Sequence, residues 1–405
     1  MTGARLERSL GLGDAIVIGL SAMIGAGIFV ALAPAAEAAG TLLLVGLGIA
    51  GVVAYCNAIS SARLAARYPA SGGTYVYGRE RLGDFWGYLA GWGFVVGKTA
   101  SCAAMALTAG FYVWPEQAHA VAVCTVLVVT VINCAGIQKS AIATRVIVGV
   151  VLLILAMVGV VVFISVAPDF SRVETGGRIE GVLQSAGILF FAFAGYARIA
   201  TLGEEVRNPA RTIPTAIPLA LGITLFVYSA VAVAVLAMLG GDGVAHASAP
   251  LVAAVGATGL PEFVPLVRLG AAVAALGALM TLSLGVSRTT LAMARDRHLP
   301  HPLSAVHARY KVPHRAELAV GVIVAVIAAF IDVRNAIGFS SFTVLAYYAI
   351  ANASAWTMGR RLVPTIGFVG CLALAFALPL TSVLAGAGVL AAGAVIYGLR
   401  ARIAR

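Results

Sequence analysis

Two glycines, Gly25 and Gly27, stand one residue apart inside an apolar run, Ser21-Ala-Met-Ile-Gly-Ala-Gly-Ile-Phe29, with Pro34 following. Each glycine costs a helix ~1 kcal/mol relative to alanine, so the pair marks a place where a helix unwinds. Freed N–H groups at the start of a resumed half-helix from Ile28 can hold a carboxylate, aided by the positive helix end. The pattern also suits close packing of small residues between helices, since the chain has 46 glycines in all. A second run, Phe190-Phe-Ala-Phe-Ala-Gly-Tyr196, is interrupted in a similar way and followed by Glu204, Glu205 and Pro209. That pairing tips the reading towards binding.

Three cations fall inside apolar segments: Lys98, Arg198 and Arg288. Lys98 lies about 15 residues from either end of its segment, ~22 Å at 1.5 Å per residue, beyond the reach of snorkelling. It is either tied to carbonyls at a helix break or exposed to a water cavity, or it is an amine that binds and releases a proton. Arg198 follows the second break and keeps its charge, which suits contact with a substrate or helix end, or a part in a gate. Arg288, Asp14, Glu204 and Glu205 are expected at one set of span ends, as an inner gate or as ordinary interfacial ion pairs. All sixteen acids are expected in loops or near span ends. A cationic solute would therefore meet Lys98 or Arg198 without compensation, and the expected solute is neutral or anionic.

Other chemistry finds no support. The five cysteines have no CxxC spacing, and His298, His301, His307 and His314 share a basic loop without a closed ligand set, so no metal or cofactor is expected. Without an HExxH motif, paired intramembrane carboxylates or a nucleophile beside a base, no enzyme is expected either.

The elements that position these residues follow from composition. Of 405 residues, 61% are hydrophobic and 11% charged, against ~25% charged in a soluble domain. Apolar segments fall near 14–38, 41–66, 83–113, 118–137, 145–167, 181–202, 213–239, 264–293, 317–333, 336–358, 363–379 and 381–399. They predict an all-α integral membrane protein of twelve spans, because lipid offers no partner for unpaired backbone groups. Only short loops remain, which excludes an appended nucleic-acid-binding domain; the net charge of +11 reflects topology. With the N-terminus inside, twenty of the 27 basic residues fall in cytoplasmic loops and four outside, so both termini are expected in the cytoplasm. The interrupted spans, first and sixth, occupy matching places in two five-span halves. That is the pattern of an inverted-repeat transporter with its substrate at mid-membrane. The expected divisions are 1–167 (spans 1–5), 168–358 (spans 6–10) and 359–405 (two further spans).

Met23-Ile-Gly-Ala-Gly-Ile-Phe29, Tyr68-Pro-Ala-Ser-Gly-Gly-Thr-Tyr75, Gly91-Trp92, Phe190 to Tyr196, Glu204-Glu-Val-Arg-Asn-Pro209, Ser287-Arg288, Met293-Ala-Arg-Asp296 and Leu299-Pro300 together resemble the amino acid-polyamine-organocation (APC) superfamily of permeases, over nearly the whole chain. The resemblance implies a five-plus-five inverted repeat with two extra helices. It also implies an amino acid held by its carboxylate and amine on the broken backbones: Ile24, Gly25, Ala26 and Gly27 in span one, and Phe191, Ala194, Gly195 and Tyr196 in span six.

Two departures stand out. Many relatives place an acid after the Gly-aromatic pair, where this chain has Ala197 and then Arg198. Proton-coupled relatives often carry a lysine in span five, where Val146 to Val151 is apolar; Lys98 is the candidate to replace it. The expectation is a plasma-membrane permease for an amino acid or related small carboxylate, coupled to protons through Lys98 and Arg198. Sodium coupling through Thr281, Ser283 and Ser287, exchange, or a non-transporting sensor of the same fold are the alternatives.

Overall fold

The computed structural model describes residues 10–68, 72–136, 141–165, 171–174, 176–196, 199, 206–307, 309–310 and 312–403. Every long element among them is helical, and the one pairing outside helices is an isolated bridge between Leu10 and Val206. The first expected segment is divided into α1 (Leu12–Met23), α2 (Gly27–Val30) and α3 (Leu32–Ala39). Then come α4 (Leu43–Arg67), α5 (Thr74–Leu82), α6 (Asp84–Val113), α7 (Ala118–Cys134), α8 (Ala141–Ser165) and the single turn α9 (Ser171–Glu174). The second half holds α10 (Val182–Phe193), α11 (Pro209–His246), α12 (Pro250–Gly256), α13 (Val264–Arg295), α14 (His314–Phe330), α15 (Val333–Trp356), α16 (Leu362–Ala377) and α17 (Leu380–Ile403).

Among the described residues, ten helical stretches are long and apolar enough to cross a membrane, which makes the chain a multi-pass integral membrane protein. On the ninth and eleventh expected segments, α14 and α16 are shorter, at 17 and 16 residues.

The bundle is built around α6 and α15. Of their apolar windows 78% and 83% is buried, against 28% for the stretch containing α7 and 17% for α17, so the last two present their apolar side chains outward. Lipid tails give no hydrophobic drive between helices, so close contact of small residues has to hold the centre together. On α6, a Cβ at Gly97 would fall 1.9 Å from Thr343 Oγ1 of α15. One turn on, the hydroxyls of Ser101 and Ser340 stand 2.5 Å apart across the same seam.

Candidate functional site

Both interrupted runs unwind at the expected places. Ile24 (φ −78°, ψ 59°) follows the end of α1 and sits in an inverse γ-turn, closed by Gly25 N–H donating to Met23 O at 2.7 Å, before the helix resumes at Gly27. After Phe193, Ala194–Tyr196 form a single 3-10 turn. Side chains from other helices meet carbonyls at these breaks. The Tyr228 hydroxyl of α11 reaches Met23 O and Ala192 O. Ala194 O accepts from Lys98 Nζ and from the Tyr348 hydroxyl, each at 3.4 Å.

The two breaks lie against each other. A Cβ on Gly195 would fall 2.1 Å from the Ala22 carbonyl oxygen, and one on Gly27 would fall 2.7 Å from Ala192. Gly25 faces α13 instead, where its Cβ would meet that of Ala278 at 2.4 Å. These glycines therefore serve close helix contact as well as the turn.

A cavity of about 90 Å³ borders both breaks. Ala22, Met23 and Gly27 line it from the first, and Phe191, Ala192, Ala194 and Gly195 from the second. Phe94, Lys98, Ser101 and Met105 of α6, Tyr347 of α15 and a stretch of α13 from Ala278 to Thr289 complete most of the wall. Among the described residues its charged groups are Lys98 and Arg288, its hydroxyls those of Ser101, Thr281, Thr289 and Tyr347, and no lining residue is acidic. Gly72, Arg288 and Thr289 carry the lining towards the end of the bundle where α4 and α13 finish.

Of the expected substrate residues, Gly27, Phe191, Ala194 and Gly195 line this cavity, while Ile24, Gly25 and Ala26 form the buried turn beside it. Tyr196 is fully buried with its ring stacked on Tyr348, centroids 5.0 Å apart. Lys98, 4% exposed, reaches the cavity from α6. Arg198, Glu204 and Glu205 lie outside the described residues. Arg288, exposed, stands about two turns before the end of α13 at Arg295 and lines the cavity wall.

The hydroxyls considered for sodium each have a partner of their own. Thr281 lines the cavity and donates to Gly277 O at 2.9 Å. Ser283 accepts from Asn133 Nδ2 of α7 at 2.6 Å, and Ser287 donates to Leu284 O at 3.2 Å. Among the described residues, no group of three or more His, Cys, Asp or Glu is placed to hold a metal ion.

Polar ties close both ends of the bundle. At the end where α13 finishes, the Tyr75 hydroxyl of α5 donates to Asp296 Oδ2 at 2.5 Å and stands 2.9 Å from His298 Nδ1. Arg79 joins the same carboxylate at 2.5 Å. Burial and the hydrogen bond to Asp296 push the Tyr75 phenol up, and burial with the Arg79 charge pushes the His298 ring down. Asp14, expected in the inner gate, pairs with Arg145 of α8. At the opposite end Glu37 of α3 pairs with Arg334 of α15.

Sequence reasoning missed Tyr228, Tyr347 and Tyr348. Their only signal was a hydroxyl-bearing ring in an otherwise apolar helix. It also took every acid to be in a loop or near a span end without foreseeing that one, Glu317, is buried, at 2% exposure.

Residues 14–362 match the family model for amino acid permeases. The chain is 68% identical to an uncharacterized transporter of Mycobacterium tuberculosis, over 99% of this chain and 93% of that protein. It is 29% identical to the cationic amino acid transporter 2, vacuolar, of Arabidopsis thaliana, covering 86% of this chain and 59% of the relative. Similarity to the methylthioribose transporter of Bacillus subtilis is 26% over 98% of this chain and 94% of that one.

Proposed function

The chain belongs to the amino acid permease family, within the APC superfamily, and on that premise we propose that it carries an amino acid or related small carboxylate across the plasma membrane by proton-coupled symport. The arrangement proposed is twelve spans with both termini in the cytoplasm: an inverted repeat of 1–167 and 168–358, followed by two further spans in 359–405. Alternating access then moves the halves around a fixed mid-membrane site. The substrate carboxylate takes the backbone of the first break at Ile24, Gly25, Ala26 and Gly27, with the N–H groups of Ile24 and Gly25 exchanging their bonds to Leu20 O and Met23 O for it, and its amine takes the carbonyls beside Phe191, Ala194, Gly195 and Tyr196. Lys98 is the coupling group, with Arg198 assigned beside it. With Lys98 Nζ 3.4 Å from Ala194 O, its charge bears directly on the sixth-span break.

The observation that carries this reading is a cavity bordered by two broken helices, with two cations and, among the described residues, no acid on its wall. A cationic side chain entering it meets like charge without compensation, so the solute class is neutral or acidic. The relatives' names, a cationic amino acid transporter and a methylthioribose transporter, differ in solute, which leaves the choice to the lining.

Uptake into proteoliposomes tests the proposal. An inward proton gradient should drive accumulation without sodium, and Lys98→Met should bind or exchange substrate but lose acceleration by acid outside. A requirement for sodium, or unchanged proton-driven accumulation in Lys98→Met, overturns the mechanism. Absence of counterflow in the wild type would make the chain a sensor.

A further inference from the structure

Among the described residues, the buried charged side chains are Lys98 and Glu317, at 4% and 2% exposure. Glu317 stands in the first turn of α14, packed against α6, α7 and α13. Its Oε1 accepts from Asn133 Nδ2 of α7 at 2.5 Å, and the same amide reaches Ser283 Oγ of α13. Its Oε2 is buried without a hydrogen-bond partner, and no ion pair to it forms among the described residues. A bare carboxylate removed from water in this way is strongly disfavoured. A proton on the open Oε2 lone pair removes the charge and leaves a neutral O–H donor in its place.

Two half-buried imidazoles, His314 and His307, stand at the start of the same helix and in the loop before it. His314 precedes Glu317 by three residues, on the same face of α14, and its Nδ1 is buried without a partner. Its ring meets that of His307 edge-on, with centroids 5.4 Å apart. His307 Nδ1 is occupied by the N–H groups of Arg309 and Tyr310, which leaves Nε2 for exchange. The titratable groups in electrostatic reach of Glu317 on the neighbouring helices are the thiols of Cys102 on α6 and Cys134 on α7. From α13 comes the Ser283 hydroxyl, and the nearby turn His301–Ser304 contributes the exposed His301. Cys102 lies one turn from Lys98 on α6 and is in electrostatic reach of Glu317 on α14 as well.

We propose that Glu317 is a second proton-binding group of the carrier, exchanging its proton with the cytoplasm through His314 and His307. Binding adds the proton to Oε2 to give the neutral acid; release leaves the electron pair on Oε2 and passes the proton to an imidazole lone pair and on to water. This rests on the proton-coupled reading above and adds the site on the release side.

The experiment compares wild type, Glu317→Gln and His314→Gln in proteoliposomes, reading counterflow exchange, gradient-driven accumulation and pH change by a trapped dye. Glu317→Gln should still exchange labelled substrate but lose at least ten-fold in proton-driven accumulation and the accompanying pH change. His314→Gln should slow net uptake several-fold while reaching the same final level. A Glu317→Gln protein that accumulates like the wild type overturns the inference alone. If that variant loses counterflow through misfolding, His314→Gln decides: unchanged net uptake overturns the route. A wild type that moves no protons overturns the symport reading itself, and this inference with it.

Discussion

The Tyr228 hydroxyl donates to the Met23 carbonyl oxygen at 2.5 Å and stands 3.2 Å from the Ala192 carbonyl oxygen. One fully buried side chain of α11 thus serves the last turn before each break. Tyr228→Phe removes the donor and leaves both carbonyls buried and short of a partner, a cost of ~1–3 kcal/mol. Thermal unfolding in detergent should show a lowered Tm and weaker stabilisation by substrate; an unchanged Tm would deny Tyr228 this role.

Gly195 and Gly25 have no room for a methyl group. Alanine at 195 must displace the Ala22 carbonyl, and alanine at 25 must displace Ala278. Each should cost about 1–3 kcal/mol as overpacking, and Gly195→Ala should lower transport as well. Gly222→Ala in α11, with nothing within 4 Å of the new atom, serves as the control: it should leave transport untouched and hold or raise stability, by up to ~1 kcal/mol. Equal behaviour of all three variants in stability and uptake assays would contradict the packing account.

Competition for uptake should follow charge. Neutral and acidic amino acids are expected to compete with one another, whereas arginine, lysine and polyamines are not, because Lys98 and Arg288 border the cavity and, among the described residues, no acid does. Saturable arginine uptake would mean that both cations turn away from the bound solute.

The contact between α5 and the segment after α13 should respond to pH. Burial and the Arg79 charge hold the His298 ring below its ordinary value, about 6.5. Protonation therefore favours the opened chain, which binds the proton more readily. Stability from this contact is complete above pH ~6.5 and declines as pH falls from there towards the lowered value. Tm measured between pH 7.5 and 5 should drop in the wild type and drop less in His298→Gln. Parallel curves would remove His298 from the explanation.

The breaks were legible because Gly-x-Gly and Ala-Gly-Tyr interrupt apolar runs that are otherwise uniform, and a helix loses more there than it can regain by propensity. What the glycines face was not legible. Gly25 reads as an open backbone in sequence yet lies against Ala278, a contact between segments some 250 residues apart. Arg288 stands about two turns before the end of α13 at Arg295, exposed and on the cavity wall; that it borders the cavity depends on how α13 packs, which spacing along the helix does not express. Glu317 opens its helix and reads as interfacial; its burial comes from packing against α6, α7 and α13, which periodicity along α14 cannot express. The cation at Lys98 was visible at once, since a lysine amid apolar residues is an anomaly wherever it points.

The contacts of Gly195 on Ala22 and of Gly27 on Ala192 form two crossed points of bearing between the interrupted helices. Each break supplies the glycine that the other's backbone or methyl group fills, so the two unwound stretches are keyed into one another in both directions beside the cavity, and neither can be reshaped without the other giving way.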